Sequence, residues 1–328
     1  MHIGIAFDLK PDAPSTPDLP DDWAEEFDSP MTVRAIAAAL RAKGHTVTEL
    51  GDGRGLVEKL LAAPPDLVFN IAEGEGVGRS REARVPAVCE LLGVPYTGSD
   101  PLTLAAALDK DVARRLVASA GVRVPQGVLL PPGVPVSLAD LPFPAIVKPA
   151  WEGSSKGIRG KCLVNSPREL VAAIAEQQRN YRQPLLVEEF IPGDELTVGI
   201  VGNDSPRILG VMRVIPNQTA GPFVYSLEVK RDFRNQVRYE CPARLPPDTL
   251  AAVEAATLTS YRTLGCRDVA RIDFRLRDGV PYFLEANPLP GLNPESSDLV
   301  ILAGLVGIGH AELIGMILDA ALERLGAS

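Results

Sequence analysis

The sequence predicts an α/β protein, an α+β arrangement with a parallel unit first and a larger mixed sheet last. Three observations carry this. The first hundred residues alternate short apolar, β-branched runs with helical stretches, the pattern of a parallel sheet with crossover helices. From about residue 120 short strands lead, past a helix over 167–180, into a larger sheet. Near the end, Ala270-Arg271-Ile272-Asp273-Phe274 and Tyr282-Phe283-Leu284-Glu285-Ala286-Asn287-Pro288 flank the turn Arg277-Asp278-Gly279, which reads as a hairpin.

The elements follow in order. Residues 3–8 form a buried-type strand, and a Pro- and Asp-rich loop, 10–28, follows it. A loop of that length inside a compact unit is functional or mobile. Ser29-Pro30 is an N-cap with proline at the first helical position, and that helix stops at Gly44. Strands at 46–50 and 66–71 enclose a helix, and a further helix over 81–92 ends at Gly93. A long helix over 101–120 leads to short strands at 127–130, 145–148 and 161–164, then a helix over 167–180. The chain from 185 reads as the larger sheet with a helix over 247–264 and a helical C-terminus. The domain expectation is three units: 1–99, a Rossmann-like α/β domain; 100–184, a small central lid; and 185–328, a mixed-sheet catalytic unit.

Composition narrows the function classes. A net charge of −9 disfavours nucleic acid as a partner, since phosphate backbones are met by basic surfaces. No apolar run reaches the roughly 18 residues of a membrane span. The four cysteines, Cys89, Cys162, Cys241 and Cys266, lie far apart without metal spacing, and no basic segment or cleavage site precedes the first strand. A reduced, cytoplasmic protein is expected, without membrane or nucleic-acid partners.

The hairpin carries the chemistry. Asp273, Glu285 and Asn287 are hard oxygen donors of the kind Mg²⁺ takes beside phosphates. Arg271 lies two residues from Asp273, so a strand puts both on one face. A cation beside a metal cage suggests phosphate handling in a chain without a GxxxxGK[ST] loop. Lys110 and Lys148 sit in apolar or proline-flanked settings that suit a phosphate contact, although each also fits an ordinary surface lysine. Glu152–Gly157 is a small-residue loop that lets backbone approach a phosphate, or simply a turn.

Taken in order, the motifs resemble the ATP-grasp superfamily and, within it, the D-alanine–D-alanine ligase family, over nearly the whole chain. The resemblance rests on Pro95-Tyr96-Thr97-Gly98-Ser99, Leu108-Asp109-Lys110, Val147-Lys148-Pro149, Glu152-Gly153-Ser154-Ser155-Lys156-Gly157, Val187-Glu188-Glu189-Phe190, Glu195-Leu196-Thr197-Val198, Arg271-Ile272-Asp273, and Glu285-Ala286-Asn287 with Pro290-Gly291. It implies an ATP-grasp fold with an N-terminal pre-ATP-grasp domain, and ATP with Mg²⁺ (two ions, Mn²⁺ as a substitute) as cofactors. It implies ATP contacts from Lys110, Lys148, Glu152, Ser154, Ser155, Glu188, Glu189, Phe190, Glu195 and Lys230. Asp273, Glu285 and Asn287 become metal ligands, and Arg271, Ser154, Lys230 and Arg231 occupy catalytic positions. It also implies a homodimer acting on small amino-acid or peptide substrates.

The substrate half departs from the family pattern. The family holds its first D-alanine with a loop serine, a tyrosine and an N-terminal glutamate. Here Arg231 stands at the tyrosine position, and Lys156 stands where a small apolar residue is usual. The family's His-Gly…Gly-Glu-Asp-Gly segment is replaced by a run from Asn70 to Glu82 that contains Glu73, Arg79 and Arg81. Glu26 or Asp28 is left to meet a substrate ammonium, while Gly291 and Ser296 fall where the second substrate's carboxylate binds. The expectation is an ATP-dependent carboxylate–amine ligase with substrates other than simple D-alanine. A true D-alanine–D-alanine ligase and a non-catalytic ATP-binding regulator are the alternatives.

Overall fold

The computed structural model describes residues 1–11, 19–134, 140–218 and 221–327. Part of the 10–28 loop therefore lies outside the described residues. The first sheet is parallel, in the order β2 (Thr46–Gly51), β1 (His2–Ala6), β3 (Leu67–Asn70). Helix α1 (Pro30–Ala42) lies on one face, and α2 (Gly53–Ala62) and α3 (Arg84–Leu92) lie on the other. Ser29 caps α1 as its sequence suggests, its Oγ accepting from the Thr32 N–H at 3.2 Å.

Helices α4 (Pro101–Leu108) and α5 (Lys110–Ser119) lead to an antiparallel sheet of four strands. Its order is β4 (Gly127–Leu130), β7 (Leu185–Glu189), β5 (Ala145–Pro149), β6 (Leu163–Val164), with α6 (Pro167–Tyr181) behind it. The largest sheet runs β10 (Val237–Glu240), β9 (Arg207–Pro216), β8 (Glu195–Val201), β11 (Val269–Arg277), β12 (Val280–Asn287). The sequence suggests a mixed sheet here, but every neighbouring pair is antiparallel. Short helices α7 (Leu227–Arg231) and α8 (Phe233–Gln236) follow β9. The long α9 (Pro247–Leu264) packs beneath the large sheet, and α10 (Asp298–Leu305) and α11 (His310–Arg324) close the chain. No single helix among the described residues is long and apolar enough to cross a membrane.

Three boundaries differ from the sequence reading. The helix over 101–120 is two helices, because Asp109 turns to extended backbone and its carboxylate accepts from the Asp111 and Val112 N–H groups. The helix over 81–92 starts only at Arg84, since the Arg81 side chain is drawn into a buried ion cluster. The strand over 161–164 shortens to Leu163–Val164 behind a 3₁₀ turn at Gly160–Cys162.

Two junctions position the cleft. Helix α1 packs on α11, so one core joins the first sheet to the C-terminal helices through Ile36, Leu40, Leu313 and Ile317. Asp268, fully buried, binds the Arg324 guanidinium at 2.8 and 2.9 Å and accepts from the Gly98 N–H at 2.8 Å. It thereby ties the end of the first unit to the large sheet and the last helix. Removing one member of a buried pair leaves the other uncompensated. Asp268→Asn is expected to lower unfolding stability by on the order of 3 kcal/mol, read as a shifted urea midpoint at unchanged slope.

Candidate functional site

The floor of the cleft is the β11–β12 pair. Its register sets Asp273 opposite Glu285 and Arg271 opposite Asn287. Strand alternation puts these four on one face, while Ile272, Phe274, Phe283 and Ala286 enter the core beneath. Arg271 reaches Asp273 at 3.0 Å, Glu285 at 3.2 Å and Asp298 at 3.6 Å. Lys110 meets Glu285 at 3.1 Å and donates to the Glu152 carbonyl. Burial pushes the Asp273 carboxyl up to about 6, against the pull of Arg271. Burial acts on Glu285 as well, but Lys110, Arg271, Lys230 and Lys148 together hold it well below the usual carboxylate range.

Among the described residues no cluster of three or more His, Cys, Asp or Glu side chains closes into a metal cage. The donor set is instead two carboxylates and an amide, which leaves ligand positions for phosphate and water, as Mg²⁺ prefers. Asp273 Oδ1 is buried without any hydrogen-bond partner, so this oxygen is available to a cation. The residues fit such an ion.

Above the floor, between the two antiparallel sheets, lies a narrow cavity of about 70 Å³. It is lined by Lys148, Ser155, Glu188, Glu189, Phe190, Glu195, Lys230, Asp273 and Glu285. Lys148 and Glu188 pair at 2.5 Å. Arg275 organises the far end. It binds Glu195 at 2.7 Å, donates to the Ile191, Gly193 and Phe223 carbonyls, and lies 4.5 Å from the Phe190 ring centroid.

A larger cavity of about 400 Å³ shares Lys230, Glu285 and Asp298 with the narrow one and extends toward the first unit. Lys110, Glu152, Ser154, Arg231, Arg271, Asn287, Gly291, Ser296, Glu26 and Glu73 line it, residues that the sequence reading divides among nucleotide, metal, catalytic and substrate roles. Arg79 and Arg81 do not. Arg79 pairs with Asp109 at 3.1 Å and lies over the Trp151 ring. Arg81 is 1% exposed and binds Glu26 at 2.8 Å and Glu152 at 3.4 Å. Lys156 meets the same two carboxylates at 3.0 and 2.5 Å. Glu26 also accepts from the Gly153 N–H, where an added Cβ would lie 2.9 Å from its Oε1. Burial alone would raise the Glu26 carboxyl, but Arg81 and Lys156 bring it below its ordinary value. Arg231 turns outward to Glu25 at 2.6 Å and Asp21 at 2.9 Å.

Sequence reasoning did not single out Asp298, Tyr225, Arg275 or Glu82. Asp298 faces Arg271 and Lys230, the latter at 3.7 Å, and accepts from the Tyr225 hydroxyl at 3.0 Å. Lys230 lies 5.1 Å from the centroid of the same tyrosine ring. Arg275 was accessible from strand parity with Arg271 and Asp273. Asp298, at a helix start beyond an irregular loop, carried no such signal.

A family model described as the D-ala D-ala ligase C-terminus matches residues 136–319. Among curated relatives, a protein named D-alanine–D-alanine ligase from Gluconobacter oxydans is 36% identical over 295 residues, covering 88% of this chain and 93% of that protein. One of the same name from Parvibaculum lavamentivorans is 33% identical, covering 93% and 97%. An uncharacterized protein of Sinorhizobium fredii is 34% identical, covering 94% and 91%. In three dimensions the chain is similar to a Bacillus anthracis D-alanine–D-alanine ligase solved with ATP, at TM-score 0.76 and 24% identity, covering 99% and 98%. It is also similar to the VanG D-Ala:D-Ser ligase of Enterococcus faecalis, at TM-score 0.72 and 22% identity, covering 98% and 99%. These likenesses establish the ATP-grasp fold.

The acidic wall of the large cavity makes a pH-dependent contribution to stability. Burial pushes Glu82 up to about 8 and Asp28 up to about 7, from ordinary values of 4.5 and 3.8. Folding therefore raises their proton affinity. Their contribution is fully present below the ordinary values and is lost as pH rises through 7 and 8. Glu82→Gln is expected to match wild type near about pH 4 and to exceed it near about pH 8, by roughly 1–3 kcal/mol. Urea midpoints measured across that range check it.

Proposed function

The chain belongs to the D-alanine–D-alanine ligase family of ATP-dependent carbon–nitrogen ligases, and from that premise we propose that it joins amino-acid-like substrates through an acyl phosphate, with a first substrate other than free D-alanine. The observation that carries the substrate reading is the state of Glu26. In the family pattern an N-terminal glutamate works with a loop serine and a tyrosine to hold the first D-alanine, and of the two candidates, Glu26 and Asp28, we take Glu26 as its counterpart. Here Arg81, Lys156 and the Gly153 N–H occupy it, and the tyrosine position is an arginine turned toward Asp21 and Glu25.

The nucleotide half supports ATP as the energy source, and the family uses Mg²⁺ with it. Asp273, Glu285 and Asn287 would hold the metal, one ion or two, with Mn²⁺ as a substitute. The ion supplies neutralisation of phosphate charge. Lys148 and Lys230 both line the narrow cavity, suiting them to phosphate oxygens, and Lys110 serves from the larger cavity. Glu188, Glu189, Phe190 and Glu195 line the end suited to the nucleoside, with carboxylates to accept from ribose hydroxyls. Ser154 and Ser155 stand on the loop between the two cavities. Arg271 stands at the junction of cation and acid groups on the floor. A fixed guanidinium there favours negative charge that develops as the amide forms. Closure of the Ser154 and Lys230 segments excludes water from the acyl phosphate.

We further take the three units 1–99, 100–184 and 185–328 as the moving parts, in a cytoplasmic homodimer, and light scattering on purified protein tests the dimer. A genuine D-alanine–D-alanine ligase is the second reading, favoured by relatives of that name at 33–36% identity. The two separate in an ADP-release assay with Mg²⁺–ATP and a panel of amino acids and dipeptides. The first reading expects D-alanine alone to be slower than the best pair by roughly 10–100-fold, the scale of pocket discrimination. Robust dipeptide formation from D-alanine alone establishes the second. No ADP release with any member overturns both.

A further inference from the structure

Segment 20–27 runs back into the first unit, where the Lys10 N–H donates to the Asp28 carbonyl at 3.0 Å and the Asp28 N–H to the Asp8 carbonyl at 2.9 Å. Ahead of that base it touches two other parts of the molecule. Asp22 is fully buried, and its Oδ2 accepts from the Gly157 N–H at 2.9 Å and the Tyr181 hydroxyl at 2.6 Å. Asp21 binds Arg159, beside Gly157, and also Arg231 of α7 at 2.9 Å. Glu25 meets Arg231 at 2.6 Å, and the same guanidinium donates to the Asp21 carbonyl at 3.2 Å. Glu228, one turn before Arg231, lies 3.6 Å from Arg159. Glu228, Arg159, Asp21 and Arg231 thus alternate in sign, and the series begins and ends on α7.

Helix α7 has five residues, too few to hold a position without tertiary contacts. Its inner contacts are the buried Leu227, whose N–H donates to the Ile158 carbonyl at 2.9 Å, and Lys230, which lines both cavities and lies 3.7 Å from Asp298. Its outer contact is the grip on Arg231. A planar guanidinium can bind two carboxylates at once, so a single side chain fixes the rotation of this one turn. The two ends of the strap differ in strength. Asp22 is bonded where water does not compete, whereas the Arg231 and Asp21 side chains are 39% and 65% exposed. Exposed pairs are individually weak and are screened by salt. The strap therefore stays with the 153–159 loop, and α7 is the part that lets go.

We propose that Asp21 and Glu25 are positioning residues that hold Lys230 in the nucleotide cavity by clasping Arg231, and that this clasp opens before the nucleotide leaves. The proposal rests on the reading of the narrow cavity as the nucleotide's place. It makes Arg231 a residue that acts through the strap and not on the substrate.

The test uses the full chain and two readouts. The first is amide hydrogen exchange over residues 226–233 without nucleotide. The second is stopped-flow release of a fluorescent ribose ester of ADP, bound with Mg²⁺ and displaced by excess ADP. Arg231→Gln is expected to speed both by roughly 3–10-fold, the scale of two exposed ion pairs. The double variant Asp21→Asn, Glu25→Gln does the same, and the triple variant goes no further than either. Arg231→Lys, which keeps the charge, stays near wild type. Raising salt from about 0.1 to about 1 M shortens the screening length from about 10 to about 3 Å and brings the ratio of variant to wild type toward one. Unchanged exchange in Arg231→Gln, effects that add in the triple variant, or Arg231→Lys as fast as Arg231→Gln overturns the clasp. Faster exchange with unchanged release overturns the positioning of Lys230. Failure of the wild-type chain to bind Mg²⁺–ADP sinks the nucleotide reading, and the exchange rates then decide the clasp by themselves.

Discussion

The arrangement of the cleft depends on one buried cluster, in which Arg81 and Lys156 meet Glu26 and Glu152. Taken together the four are neutral, and each charge has a partner within hydrogen-bonding reach or close to it. Such a cluster contributes less to stability than to geometry, because its Coulomb attraction is largely spent on desolvation. What it fixes is relative position. Glu26 and Arg81 come from the first unit, while Glu152 and Lys156 come from the loop that borders both cavities. Gly153 lets that loop approach within donor distance of Glu26, and Lys110 reinforces it from below through the Glu152 carbonyl. The loop bearing Ser154 and Ser155 is thus held against the first unit.

That fastening has a chemical consequence. A carboxylate locked between an arginine and a lysine offers little to a substrate ammonium. Glu73 and Glu82 line the same cavity, and burial raises both carboxyls above their ordinary values. In this chain Glu26 serves the cohesion between the first unit and that loop. The narrow cavity is held differently. Lys148 pairs with Glu188 on the adjacent strand of the small sheet, Arg275 with Glu195 on the adjacent strand of the large one, and the floor keeps an uncommitted Asp273 oxygen.

How much of this was legible in the sequence follows from the range of the interactions involved. Strand parity is local, so Arg271, Asp273, Glu285 and Asn287 could be set on one face from spacing and a turn alone. The Ser29 cap was legible for the same reason. Asp109 was missed as a helix break, although an aspartate before Lys110-Asp111 is itself a cap signal. Arg81 was not legible at all. It stands in a charged, glycine-rich run that looks solvent-exposed, and its partners Glu26 and Glu152 are 55 and 71 residues away in sequence. Arg79 and Arg81 read alike in sequence, yet one lies at the surface and the other is almost fully buried.

Asp298 shows why long-range placement matters for the floor as well. The floor sets three cations, Lys110, Lys230 and Arg271, against three carboxylates, Asp273, Glu285 and Asp298. A divalent ion held by Asp273 and Glu285 would weaken their hold on Arg271 and Lys110, freeing those cations for anionic groups. Asp298 would stay with Arg271 and Lys230, because Tyr225 holds its other oxygen and orients it toward both. Tyr225 and Lys230 belong to the segment between β9 and α8. Asp298 therefore joins the position of that segment to the orientation of the floor arginine, and a carboxylate outside the hairpin completes the charge balance that the hairpin alone leaves open.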